Sequence, residues 1–230
     1  MPPPHRGEAR RYRGMDMVQG LVMGEGHRYT LDGKPVPSVT KIVGSAYYQE
    51  VRELAGLPME LCSPFDPGQP VGSAAHHGTA VHNWIDKYLR HSIGKGKPEY
   101  NIPAEAVAFM HWLHEKNPTI TRMEEPVMST KLWYCGRVDQ VTDEPVGYVL
   151  RDYKTGKYRR YNELQLAGYS IAMKEMGIAI QEAELLFLGA DGKYICHRLD
   201  KRTLIRREMQ FIQLRSAVLQ LGILEEDKAI

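Results

Sequence analysis

Apolar residues recur at helical spacing in four stretches of the chain and alternate as strands in five more. Val81, Trp84, Ile85, Tyr88 and Leu89 make a stripe that predicts a helix over 73–91. A second helix is expected over 103–116, with Pro103 at a position favoured in helix starts. The period then changes. Residues 124–133, 135–142 and 147–153 read as three consecutive strands, and Asp143-Glu144-Pro145 with Gly147 mark the turn before the third. Leu164, Leu166, Ala167, Tyr169, Ile171 and Ala172 return to helical spacing over 160–176, and Gly177 ends that helix. Residues 183–189 and 193–199 read as a strand pair around Ala190-Asp191-Gly192, and an amphipathic helix covers 201–222. Upstream, Asp32-Gly33 is a tight-turn signal inside a short hairpin within 27–44, and Ser38 or Thr40 can cap the segment that begins there. Residues 56–73, rich in Pro and Gly, read as a loop, and a Gly/Lys-rich break lies at 94–98. This order predicts a mixed α/β fold, with a central mixed sheet flanked by helices.

Composition bounds this picture without changing it. The 230 residues are 43% hydrophobic and 25% charged, enough for an ordinary packed core. One domain is expected over 27–230, its core at about 73–200, after a basic arm over 1–26 that carries Arg6, Arg10, Arg11 and Arg13. Cys62, Cys135 and Cys196 lie far apart, which is neither a disulfide framework nor a paired metal knuckle. No apolar run approaches the roughly 18 residues of a membrane span, and MPPPHRGEARRYRG lacks the apolar stretch of a secretion signal. The expected location is the cytoplasm, of a bacterium or a phage-infected host, with no membrane partner. Net charge is only +2, but basic residues cluster at 151–160 and 201–207, where they can track a phosphate backbone or simply face solvent.

The segment CGRVDQVTDEPVGYVLRDYKTGK, 135–157, concentrates the candidate chemistry. In a strand, positions i and i+2 share a face, so Asp152 and Lys154 project together and Asp139 can meet them from the neighbouring strand. Two carboxylates bind hard divalent cations that bridge to phosphate oxygens. Such a metal acidifies a bound water, and a lysine beside it can orient that water or stabilise charge on the phosphate. D-x-K alone is also a common exposed ion pair.

The surrounding residues decide between these. Gly136-Arg137-Val138-Asp139, Asp152-Tyr153-Lys154-Thr155-Gly156 and Gln165-Leu166-Ala167-Gly168-Tyr169 come in that order, with Gly78-Thr79-Ala80-Val81-His82 and then Tyr29 and Pro37-Ser38-Val39-Thr40 upstream. Together they resemble the PD-(D/E)xK nuclease superfamily, in its RecB-like, phage-exonuclease branch, over roughly residues 27–200. The resemblance implies a PD-(D/E)xK core of αβββαβ type. It implies His82, Asp139, Asp152 and the backbone carbonyl of Tyr153 as metal ligands, for Mg²⁺ or Mn²⁺. Lys154 is the implied catalytic lysine, with Gln165 and Tyr169, one helical turn apart, beside it. Gly136 is expected to permit a close approach near the metal. The chain departs from the pattern in having Val138 where the name-giving proline stands, and Asp152 where many relatives have Glu. No iron–sulfur cluster is expected from three scattered cysteines.

Arg137, Thr155, Lys157, Arg159 and Arg160 are the candidates for holding DNA. Asp86 shares the face of His82 and either supports it or pairs with Arg90; Glu125 either orients a ligand or faces solvent. Trp84, Trp112 and Trp133 read as core. The function expected is a metal-dependent deoxyribonuclease. It is read as an exonuclease of recombination, repair or phage DNA metabolism, with DNA and a single-strand annealing or recombination protein as partners. A restriction-type or structure-specific endonuclease is one alternative, and a catalytically silent nucleic-acid-binding protein is another.

Overall fold

The computed structural model describes residues 20–24, 28–64, 73–92 and 101–226. Most of the basic arm and the break at 94–98 therefore lie outside the described residues. The chain opens with a small antiparallel sheet, β1 (Leu21–Gly24), β2 (Arg28–Leu31) and β3 (Lys34–Val36). Asp32 and Gly33 both take positive φ, 49° and 80°, so the expected two-residue turn joins Leu31 to its partner Lys34. β1 falls in the stretch expected to be arm, because Leu21 to Gly24 pair residue by residue with β2. Ser38 caps α1 (Val39–Gly44), its Oγ accepting from Lys41 N at 3.2 Å. α2 (Gln49–Ala55) comes next, unassigned from sequence because seven residues barely show a helical period.

Two longer helices come after it, α3 (Ser73–Ser92) and α4 (Ala104–Lys116). The main sheet then forms from β4 (Thr119–Ser129), β5 (Tyr134–Glu144), β6 (Gly147–Lys154), β7 (Ile180–Leu188) and β8 (Tyr194–Leu199), in that spatial order. All neighbours are antiparallel except β6 and β7, whose parallel pairing needs the crossover helix α5 (Asn162–Glu175). α6 (Lys201–Leu221) closes the fold, capped by the Asp200 carboxylate on Thr203 N at 2.7 Å and ended by Gly222 at φ 58°. No described helix is long and apolar enough to cross a membrane.

The first strand is displaced from its expected span of 124–133. β4 begins at Thr119, and Ser129 pairs with Tyr134, which leaves 130–133 as a turn. Leu132 and Trp133 suggest strand because they are apolar. Instead Leu132 N donates to Ser129 Oγ at 3.1 Å, and Arg215 donates to the carbonyls of Leu132 (2.9 Å) and Trp133 (3.2 Å).

The sheet is covered on both sides. Ala183, Leu185 and Phe187 of β7 join the core built with α1, α5 and α6, while Leu186 and Leu188 join the core built with α3 and α4. This alternation explains the unbroken apolar run Leu185–Leu188, since a strand buried on both faces needs no polar side. Gly168 sits where α5 meets its neighbours. A Cβ there would lie 2.8 Å from Phe211 of α6 and 3.0 Å from Val39 of α1. Gly168→Ala should therefore destabilise the fold by about 1–3 kcal/mol through overpacking, read as a lower urea midpoint. An unchanged midpoint would mean that the three helices do not meet as closely as described.

Candidate active site

The β5–β6 ladder runs from Glu144–Gly147 to Gln140–Arg151, and the next opposed positions are Asp139 and Asp152. There the ladder stops. Tyr153 N donates instead to the Asp139 carboxylate, at 2.7 Å to Oδ2. His82 of α3 lies against both groups: Nδ1 is 3.3 Å from Asp139 Oδ1, and Nε2 is 3.0 Å from the Tyr153 carbonyl oxygen. Val81, Trp84, Ile85 and Leu89 anchor α3 in the core and so aim His82 at the sheet.

Asp152 and Lys154 project together, as their spacing requires, with Lys154 Nζ 2.5 Å from Asp152 Oδ2. Lys154 Nζ also donates to Gln165 Oε1 at 3.0 Å, and Gln165 Nε2 donates to Tyr169 OH at 3.0 Å. The one-turn spacing on α5 thus serves a relay of hydrogen bonds onto the lysine. Gly136 permits a close approach by a side chain of the motif. A Cβ there would come within 2.5 Å of Tyr169 Cε1, so the glycine makes room for the tyrosine ring.

The residue missed from sequence is Glu124. Ligand atoms of His82, Glu124 and Asp139 lie within 4.8 Å of one another. Glu125 pairs with Arg122 at 3.5 Å. The doublet Glu124-Glu125 was the available signal, but alternation alone does not say which member turns toward Asp139. Glu124 does so from a left-handed backbone, φ 46°, which a non-glycine residue adopts only under local constraint. Its carboxylate holds Arg137 at 2.7 Å, so this expected DNA-binding side chain is engaged within the site.

The remaining candidates spread out. Asp86 binds Arg90 Nε with both oxygens, at 2.7 and 2.8 Å. Lys157, Arg159 and Arg160 are exposed on the loop after β6, Arg160 reaching Glu60 at 3.3 Å. Thr155, in the same loop, lies beside Gly78 of α3. Tyr158 fixes this loop by donating to the buried Glu163, which also accepts from His197 (3.0 Å) and Arg207 (2.6 Å).

Burial and mutual charge tune the group. Burial alone would depress His82, but the Asp139 carboxylate lifts it to about 9. Burial works against Asp139, yet His82, Lys154 and the Tyr153 N–H hold it below the ordinary carboxylate range. Burial and the neighbouring Asp139 charge push Glu124 up to about 7. Burial raises Asp152 against the pull of Lys154, while Lys154, which burial would lower, is held high by Asp152.

The donor set suits a hard divalent cation: one imidazole nitrogen and one oxygen from each of two carboxylates converge. Asp152, expected as a further ligand, is not among these three; its Oδ2 is buried against Lys154 Nζ.

No protein-family model matches the chain, and no curated protein matches it. Among solved structures, it is similar to an alkaline exonuclease from Laribacter hongkongensis, at 11% identity over 80% of this chain and 93% of that one, with a TM-score of 0.40. The same enzyme in complex with dAMP gives 13% identity over 80% and 92%, with a TM-score of 0.37. A protein from Eubacterium rectale described as a candidate exonuclease gives 12% identity over 78% and 86%, with a TM-score of 0.42. Likenesses this distant say nothing by themselves about what this chain does.

The His82–Asp139 contact makes metal-free stability depend on pH. A histidine raised from 6.5 to about 9 on folding contributes stability that is complete below about pH 6.5 and lost as pH rises through 9. The shift corresponds to about 3 kcal/mol. Glu124, an acid raised from 4.5 to about 7, acts in the same sense at lower pH. Thermal melts in EDTA should therefore fall steadily between pH 6.5 and 9, and His82→Asn should flatten that slope. A melting temperature that rises over this range would contradict the pairing.

Proposed function

We propose that this chain is a divalent-metal-dependent DNA nuclease of PD-(D/E)xK type, with a single nuclease domain over residues 27–230. The observation that carries the reading is the convergence of His82, Glu124 and Asp139 within 4.8 Å, beside the Asp152–Lys154 pair. His82, Glu124 and Asp139 would hold Mg²⁺ or Mn²⁺; Asp152, which the resemblance makes a further ligand, is paired with Lys154. Bound there, the ion supplies Lewis-acid polarisation of the phosphate and a water acidic enough to attack it.

The chain's own groups do the rest. Lys154, kept protonated by Asp152 and steered by Gln165, places an ammonium where charge develops on the phosphate. Tyr169 fixes Gln165 and therefore the lysine. Lys157, Arg159 and Arg160, exposed on the loop after β6, would meet the phosphate backbone. The motif resemblance favours an exonuclease acting in recombination, repair or phage DNA metabolism, with a single-strand annealing or recombination protein as a fitting partner.

With Mg²⁺, the protein should degrade end-labelled linear DNA and leave covalently closed circles intact, and EDTA should stop it. Lys154→Ala and Asp152→Ala should each lower the rate by about 10²–10⁴. Folded Lys154→Ala protein cutting at the wild-type rate would sink the reading; nicked circles would reassign it to an endonuclease. Glu124→Gln should weaken Mn²⁺ binding about tenfold or more in calorimetry, about 1.4 kcal/mol. Glu125→Gln should leave binding unchanged, and the reverse result would remove Glu124 from the ligand set.

A further inference from the structure

The outer face of α6 carries an apolar stripe that no described residue covers. Ile205, Met209, Ile212 and Leu219 are 45%, 61%, 39% and 48% exposed, while Leu204, Phe211, Leu214 and Val218 on the opposite face are buried. With the exposed Arg202 and Ser216, the positions run 202, 205, 209, 212, 216 and 219. Steps of three and four are the heptad spacing of a seam between two helices. Single apolar residues scattered over a surface need no explanation, but four at this period on one helix do. From Ile205 to Leu219 the stripe runs about 21 Å.

The charges on the helix narrow what fits it. Lys201, Arg202 and Arg206 are exposed in its first two turns, three cations against the single capping Asp200, and the first turn itself holds no acid. The last turn holds no base; its exposed side chains are Leu219, Gln220 and Leu221, and the exposed Glu225 lies just beyond. The helix dipole has the same polarity, positive at the start and negative at the end. The stripe is therefore complementary to itself when reversed.

We propose that α6 is the interface of a homodimer, packing antiparallel against α6 of a second copy across a two-fold axis near Met209 and Ile212. Each copy's Arg202 and Arg206 then lie beside the other's C-terminal turn and Glu225, and the patch closes on itself as a two-fold contact must. Parallel pairing would stack the cations and the positive helix ends. Nucleic acid would suit only the basic half and leave Ile212 and Leu219 uncovered.

The test uses the full chain and does not depend on the nuclease reading. Sedimentation equilibrium at tens of micromolar should give twice the 26.2 kDa chain mass. Ile212→Glu and, separately, Met209→Glu bring like charges together at the axis and should give the monomer mass with unchanged circular dichroism. Cys135 is buried, so orientation can be read with Cys62→Ser and Cys196→Ser as background. There, a short bis-maleimide should cross-link Ile212→Cys but not Ile205→Cys, whose two copies would stand about 17 Å apart along the axis. A monomeric wild type, a dimer that survives both Glu variants, or equal cross-linking at 205 and 212 overturns the proposal. A monomeric wild type that loses DNA affinity on Ile212→Glu assigns the stripe to nucleic acid instead.

Discussion

Between Asp139 and Asp152 the backbone ladder of β5 and β6 ends, and the site is built from what that ending leaves over. Like charges opposite one another on adjacent strands are unfavourable, and a dry sheet offers them no water. In a strand, the N–H and C=O of one residue point to the same side. Parting the strands therefore frees both groups of Tyr153 together. The N–H is taken by Asp139 and the carbonyl by His82. One buried residue's backbone thus fixes a carboxylate from β5 and an imidazole from α3 in a single arrangement. The Tyr153 side chain turns into the α3–α4 core, packed edge-on against Phe109 and His82, which holds that backbone in place.

Charge balance comes out of this geometry. Buried charges persist only where partners or protons neutralise them. His82 and Lys154 sit among Asp139, Asp152 and Glu124, and Arg137 closes the outer side of Glu124. Glu124 is pushed up to about 7, so near neutrality metal-free protein still holds protons there, while burial raises Asp152 against the pull of Lys154. A hard cation competes for the same lone pairs, and its affinity rises as those protons leave. The left-handed backbone at Glu124 belongs with this: it turns a third carboxylate into a cluster that would otherwise disperse it.

Much of this was legible in the sequence, for identifiable reasons. Asp152 and Lys154 are two apart on one strand, and Gln165 and Tyr169 are four apart on one helix, so local periodicity sufficed. The Asp32-Gly33 turn and the ends of α5 and α6 rest on backbone chemistry that few residues other than glycine supply. The failures were non-local. Leu132 and Trp133 look like strand until Arg215, more than 80 positions away, takes their carbonyls. β1 exists only because β2 pairs with it. Choosing Glu124 over Glu125 needs the φ reversal at that residue, which neither propensity nor alternation encodes. That Gly136 makes room for Tyr169 is equally non-local, since sequence spacing says nothing about which side chain fills the space a glycine leaves.

This neighbour of Gly136 bears on how the motif works. Gly136 admits the ring of Tyr169, and Gly168, one residue earlier on α5, admits Phe211 and Val39. Tyr134 donates to the Gly168 carbonyl at 2.7 Å, tying β5 to the same turn of the helix. The depth and rotation of α5 are therefore set by packing contacts rather than by its polar side chains. Gln165 inherits its position from that helix, and Lys154 takes one of its two polar partners from Gln165. Since interiors transmit small volume changes rather than absorbing them, an added methyl at either glycine would displace the lysine's partner while leaving every polar atom of the motif in the sequence. The pattern Gln165-Leu166-Ala167-Gly168-Tyr169 is as much a packing signature as a chemical one.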